Sequence, residues 1–273
     1  MAFFLKQLLM KPAQWKRFVR GHDRFSSGVR RTVSSSLEPV DGTLAWWDHN
    51  EGVESTATDR ILSWTDRLNS IDLDGPSSNL DRPFYRSMGG QLCVDFQARS
   101  ALGMDETPEF PPGTGWFWVG AFELYTQAGA NGMGRFIGNS TGDDTYASLR
   151  YPVRSSAPPQ TIIRAEVDGN ENPSDEDYVL DEIWATYAVG IYDGKVSFYR
   201  NGALYSETEY TGTLLPWKLR LNRYGDSGNM VVRGGTEFGL SQLIAVEDLD
   251  ASKVEALHEW AVGYVPILSQ PAL

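Results

Sequence analysis

Glu166, Asp168 and Glu171 place three carboxylates within six residues, and paired carboxylates are what glycoside hydrolysis uses as nucleophile and general acid. The residues among them argue against a fixed pair. Gly169-Asn170 is a turn signal, and Asn172-Pro173-Ser174-Asp175-Glu176-Asp177 continues as an acidic loop, so the carboxylates are expected to fan into solvent. The sequence contains no Gly-x-Ser-x-Gly elbow, no phosphate-binding glycine loop followed by Lys-Ser or Lys-Thr, and no His-Glu-x-x-His. His22, His49 and His258 are scattered and form no zinc-type cluster, and no cofactor is expected. The chain is therefore read as non-enzymatic, with a glycoside hydrolase as the remote alternative. The other chemistry its residue types offer is stacking. Sugar binding needs exposed aromatic faces and a few fixed polar groups. Tyr125, Tyr146, Tyr151, Trp217 and Tyr224 lie in or near predicted loops and are the candidate glycan contacts. Trp46, Trp64, Trp116, Trp118, Trp184 and Trp260 are assigned to packing, as are Cys93 and, at a surface or in packing, His49 and His258.

The elements that would hold such loops are strands. From Tyr187 to Tyr205 apolar residues alternate, and the run is broken at Asp193-Gly194 and Asn201-Gly202, dipeptides that tolerate the positive φ of tight type I′ turns. This predicts a three-stranded meander in the middle of a β-sandwich. Tyr187, Val189 and Ile191 would share one face of its first strand and Val196 and Phe198 one face of its second, with Tyr192 and Tyr199 explained by strand packing. Thr43 to Asp48 reads as the first strand of the globular part. Leu92, Val94 and Phe96 alternate as in a half-buried strand, and Gly115 to Phe122 is a nearly continuous apolar run suited to a central strand covered on both faces. Gly239 to Val246 reads as a last strand. Asp250 is placed to cap a helix running to about Gly263, with Leu249 and Val254 as a hydrophobic staple and Val254, Leu257 and Ala261 on one face. With 273 residues, 41% of them hydrophobic, one large core and one main domain are expected.

The order of these pieces resembles the concanavalin A-like, laminin-G-type jelly rolls found in many bacterial and phage surface proteins. Trp46-Trp47-Asp48, Trp64-Thr65-Asp66, Arg82-Pro83-Phe84-Tyr85 and Val94-Asp95-Phe96 stand where that family has two Trp-x-Asp strands, an Arg-Pro-x-Tyr and a strand ending in Phe. Asp193-Gly194-Lys195-Val196 and Tyr199-Arg200-Asn201-Gly202 are similar to its later hairpin. The resemblance covers roughly residues 42–265 and implies an all-β, two-sheet antiparallel jelly roll with a short C-terminal helix. It implies no single activity, since the family includes lectins, hydrolases and structural modules. Its enzymes carry Glu-x-Asp-x-x-Glu on a strand, with apolar residues between Asp and the second Glu that Gly169-Asn170 does not supply. Its members often hold calcium at a loop edge; Asp143, Asp144, Asp175 and Asp177 are the candidate ligands here, although neither of their loops has the spacing of a defined calcium loop.

Charge divides the chain unevenly. Residues 1–36 carry eight Lys and Arg against Asp23, so they hold +7 of a chain whose net formal charge is −12, leaving −19 on the rest. The expected organisation is a basic, partly helical arm and linker over 1–41, a jelly roll over 42–265 and a short tail over 266–273. Phe4, Leu8, Trp15, Lys16, Arg17, Phe18, Arg20, Arg30 and Arg31 are the expected anchor residues, docking on other virion proteins. No apolar run reaches the length of a membrane helix, and the N-terminus lacks the apolar core and cleavage site of a signal peptide. These features suit a phage virion protein assembled in the host cytoplasm. Its jelly roll would serve as a lectin-like tail fibre or spike for attachment to a host-surface polysaccharide, the alternative being a capsid or tail decoration protein without glycan binding. No heptad pattern marks a coiled coil, and the resemblance slightly favours a trimer.

Overall fold

Strands make up nearly all the regular structure of the described residues, which in this computed structural model are 39–97, 100–104, 109–123, 133–139, 147–154, 160–161, 164–167, 170–171, 184–210, 216, 219–222 and 237–269. All of them belong to the unit spanning Leu37–Leu273. In chain order the first strands are β1 (Thr43–Asp48), β2 (Val53–Ser55), β3 (Ile61–Thr65), β4 (Asp72–Asp74), β5 (Phe84–Met88), β6 (Gln91–Phe96) and β7 (Leu102–Gly103). Then come β8 (Gly115–Glu123), β9 (Met133–Asn139), β10 (Ala147–Arg154), β11 (Gln160–Thr161), β12 (Arg164–Val167) and β13 (Asn170–Glu171). The series closes with β14 (Ala185–Tyr192), β15 (Lys195–Arg200), β16 (Ala203–Glu209), β17 (Leu219–Leu221) and β18 (Glu237–Val246), followed by helix α1 (Ala251–Tyr264).

Among the described residues these strands form two antiparallel sheets, a jelly-roll-like sandwich. One has the order β16-β15-β14-β8-β18-β6-β5, with β1 also on β18, and the other β13-β12-β10-β9-β17-β7-β4-β3-β2, with β11 on β10. One hydrophobic cluster fills the space between the sheets and includes Trp47, Trp64, Leu73, Val94, Phe96, Trp116, Trp118, Tyr187, Leu219 and Phe238. A second lies on the other side of the first sheet, where Phe117, Val119, Ala188 and Tyr199 meet Leu249, Val254, Leu257 and Ala261. The layers are therefore sheet, sheet and helix, and β8 contributes to both clusters, as its unbroken apolar run requires.

The two turns of the meander have the expected geometry, with φ of 50° at Asp193, 70° at Gly194, 50° at Asn201 and 78° at Gly202. The pairing Tyr187↔Arg200 through Tyr192↔Lys195 follows from the first turn. The meander is not in the middle of the sandwich, however: β16 is a sheet edge, and nearly all its residues are exposed. Tyr192 is likewise 48% exposed rather than packed, because it stands at the turn, beyond the reach of the helix layer. Leu92 is also exposed while Gln91 and Asp95 are buried, so β6 is not the half-buried strand its alternation suggests; it too is covered on both faces, with Cys93 in the outer cluster.

At the closing helix Asp250 accepts a hydrogen bond from the Lys253 backbone N–H at 2.8 Å, the N-cap geometry expected of it. Val254, Leu257 and Ala261 are its buried residues. The chain after the helix, Pro266–Ser269, forms a 3-10 turn, and Ile267 and Leu268 pack against the outer cluster.

Candidate functional site

Two groups of polar side chains converge among the described residues. The first begins at the end of β1. Along one side of β18, β6 pairs with Phe238 to Leu240 and β1 then takes over from Gln242, while on the other side the register against β8 shifts between Leu240 and Gln242. Ser241 thus sits where one partner strand gives way to the next, and ladder hydrogen bonds are interrupted at such a bulge. His49 fills the gap: its backbone N–H donates to Ser241 O at 3.0 Å, and its Nδ1 lies 3.0 Å from the same oxygen. The Gln91 side-chain amide lies 3.1 Å from His49 Nε2, and the Gln242 amide nitrogen 3.2 Å from its Nδ1.

Beside it Asp48 is completely buried and saturated with donors. Oδ2 accepts from Arg67 Nη1 at 2.9 Å and from the Tyr264 hydroxyl at 2.5 Å; Oδ1 accepts from Gln242 Nε2 at 2.8 Å and the Asn50 backbone N–H at 3.0 Å. Burial alone would raise the carboxyl's pKa, but the bonds from His49, Tyr264, Asn50 and Gln242 outweigh it and hold Asp48 well below the usual carboxylate range. Burial and the Asp48 carboxylate push the Tyr264 phenol the other way, above its ordinary value. Arg67 also pairs with Glu51 at 3.0 Å and lies over the Trp46 ring at 4.0 Å. This network joins β1, β18, the loop after β3 and the end of α1. Every lone-pair direction of Asp48 is occupied, so it holds the fold together and offers nothing to a substrate.

The second Trp-x-Asp is structural in the same way. Asp66 accepts from the backbone N–H groups of Trp46 at 2.8 Å, Leu68 at 3.0 Å and Asn69 at 2.7 Å, and Trp64 Nε1 donates to Asp48 O at 3.1 Å. Cys93 is buried, and its thiol is pushed up to about 12 by desolvation and then by Asp95, which makes it inert as a nucleophile.

The second group is at the surface. Phe84 opens the edge strand β5 and forms an isolated bridge with Arg60, just before β3. The Arg60 guanidinium lies 3.5 Å from the Phe84 ring centroid and the Arg86 guanidinium 4.9 Å from it. Arg60 Nη1 donates to Arg82 O at 2.6 Å, and Arg82 Nε in turn donates to Pro76 O at 2.7 Å. Arg86 pairs through Nε with the buried carboxylate of Asp95, while half of its own side chain is exposed. Desolvation, followed by the charge on Arg86, lowers the pKa of Arg60, whereas Asp81 and Asp95 act in the opposite sense. Two cations share one aromatic ring here, on a domain that is otherwise acidic.

Most of the residues singled out in the sequence lie outside the described residues: Tyr125, Tyr146, Trp217 and Tyr224, the calcium candidates Asp143, Asp144, Asp175 and Asp177, and every anchor residue of the arm. The backbone of Tyr151 lies within β10, opposite Gly134 of β9, rather than in a loop. Glu166 and Glu171 are register partners on β12 and β13 at the end of the second sheet, and Asn170 belongs to β13 rather than to the turn expected of Gly169-Asn170; Asp168 lies outside the described residues. His258 sits on α1 with Nδ1 at 2.8 Å from the Thr186 hydroxyl, a packing role. Among the described residues no group of His, Cys, Asp and Glu could hold a metal ion, and no described helix is long and apolar enough to cross a membrane. Arg60 and Arg86 escape a reading of the sequence because the bridge that brings Arg60 to β5 has no local signature; the only hint is the alternation of Phe84 and Arg86 on one strand face.

No family model and no curated protein sequence matches this chain. Its fold is similar to solved carbohydrate-active proteins. A Trypanosoma rangeli sialidase in complex with sialic acid matches at 10% identity and a TM-score of 0.51 over 82% of this chain and 34% of that one. A GH54 α-L-arabinofuranosidase soaked with a cyclic sulfate inhibitor matches at 14% identity and a TM-score of 0.55, over 78% and 54%. Domain 4 of an extracellular GH43 arabinanase from Geobacillus stearothermophilus, in complex with arabinotriose, matches at 11% identity and a TM-score of 0.50, over 79% of this chain and 98% of the domain. The chain thus spans a third to a half of the first two, and the likeness is one of fold.

Proposed function

We propose that the jelly roll is a glycan-recognition domain that binds without cleaving, and that the basic arm of residues 1–41 carries it on a phage virion as a tail fibre or spike. The observation that supports this reading is the match in fold to nearly the whole of an arabinanase domain solved with arabinotriose. The charge division adds to it: a segment of +7 ahead of an acidic remainder suits an anchor followed by a presented head.

Adsorption to bacterial cells tests the reading. Fluorescently labelled full-length protein is expected to bind a subset of a strain panel. Periodate, which cleaves the vicinal diols of sugars, should abolish that binding, and protease treatment of the cells should leave it intact. Binding that survives periodate and is lost to protease would contradict the proposal. Adsorption to no strain, with the protein incorporated in particles, would favour a decoration role instead.

A further inference from the structure

We propose that Arg60 and Arg86, gathered over the Phe84 ring, form a subsite for the carboxylate of an acidic sugar. This rests on the glycan-recognition reading above and names the ligand class for one place on the domain.

The donors are counted first. A guanidinium carries five N–H donors in a planar fork that matches a carboxylate. Arg86 uses its Nε on Asp95, and Arg60 uses one donor of Nη1 on Arg82 O. The remaining donors at the two fork ends have no partner shown among the described residues, and no described carboxylate pairs with Arg60. The two guanidinium carbons stand 3.5 and 4.9 Å from the same ring centroid.

The cations are also held in place. Both lie against the Phe84 ring, the Asp95 bond fixes Arg86 and the Arg82 carbonyl fixes Arg60. Their mutual repulsion, which contributes to the lowered pKa of Arg60, is relieved when an anion sits between them. Charge at a distance does not decide the matter: at physiological ionic strength fields are screened over about 8 Å, so most of the acidic surface is hidden from a carboxylate in contact with the pair. A polyanion read by its overall charge would be repelled, whereas one sugar acid reaching the fork ends is attracted.

A ligand-observed NMR titration of the full-length chain with sialyllactose and with trigalacturonate, each beside its carboxyl-reduced form, is the test. At least one acidic form is expected to bind, and its reduced counterpart at least tenfold more weakly. Arg60→Gln and Arg86→Lys, the latter keeping a cation for Asp95 without the fork, are each expected to weaken binding about tenfold with the melting temperature unchanged. Binding of neither acid, or equal binding by wild type and Arg60→Gln, overturns the subsite. If the acids fail while neutral oligosaccharides bind, the subsite is wrong and the glycan reading stands; if no sugar of any kind binds, both fall. Displacement by a sulfated sugar lacking any carboxylate, at equal affinity, would overturn the assignment to carboxylates.

Discussion

Asp48→Ala is expected to cost the domain about 3–5 kcal/mol, the range for removing one partner of a buried ion pair and leaving the other uncompensated. Four donors, from Arg67, Tyr264, Gln242 and Asn50, converge on this fully buried carboxylate, and of these Arg67 keeps a second, exposed partner in Glu51. The loss should be felt far along the chain, since Tyr264 ties the end of α1 to β1 through it. Asp48→Asn preserves shape and removes the charge, and is expected to cost less than alanine, with Arg67 keeping only the exposed Glu51 as an ion-pair partner. The pH dependence has a definite sign. A carboxyl whose folded pKa is depressed stabilises the protein fully above its unfolded value, about 3.9, and loses that contribution as pH falls towards the folded value. Wild type is therefore expected to lose more stability than Asp48→Asn on acidification below about pH 4. Denaturant melts of the two proteins at pH 7 and pH 3 check this; equal losses would show that the carboxylate is not ionised in the fold.

Gly190→Ala is expected to be strongly damaging to the outer layer. A Cβ on this residue of β14 would meet the Leu249 carbonyl oxygen at 2.6 Å, and that oxygen belongs to backbone running between β18 and α1, which cannot swing aside as a side chain can. Leu249 comes equally close to β8, where a Cβ on Gly115 would lie 2.3 Å from its own Cβ. The two glycines form a shallow trough that lets the chain turn back onto the sheet and seat Val254, Leu257 and Ala261. Filling it costs about 3 kcal/mol, the upper part of the range for overpacking, or roughly 6–12 °C in melting temperature for a domain of this size. Gly263→Ala is the matched control. No atom lies within 4 Å of a Cβ there, and alanine in a helix should gain up to about 1 kcal/mol. Thermal melts of both variants decide the point; a neutral Gly190→Ala would mean the helix layer is looser than these distances imply.

Much of the sandwich was legible because its signals are local. Asp193-Gly194 and Asn201-Gly202 force two turns, Asp250 starts a helix, and the unbroken apolar run of β8 permits only a covered strand. Alternation says which residues share a face but not where the covering layer ends, and so Leu92 and Tyr192 read as packed although they are exposed. The Asp48 network was hidden for a different reason. It answers a bulge in β18, nearly two hundred residues away in sequence, and nothing near His49 announces it. The Arg60 and Arg86 pair also depends on a long-range bridge. The aromatic candidates for sugar contact rested on loop position alone, and four of the five lie outside the described residues.

The central claim is that this jelly roll recognises glycans, and a glycan array probed with the full-length chain measures it most directly. Discrete binding to a small, chemically related set of oligosaccharides is expected, competed by the same sugars free in solution, and without release of cleaved product. A blank array from protein shown by circular dichroism to be folded would contradict it.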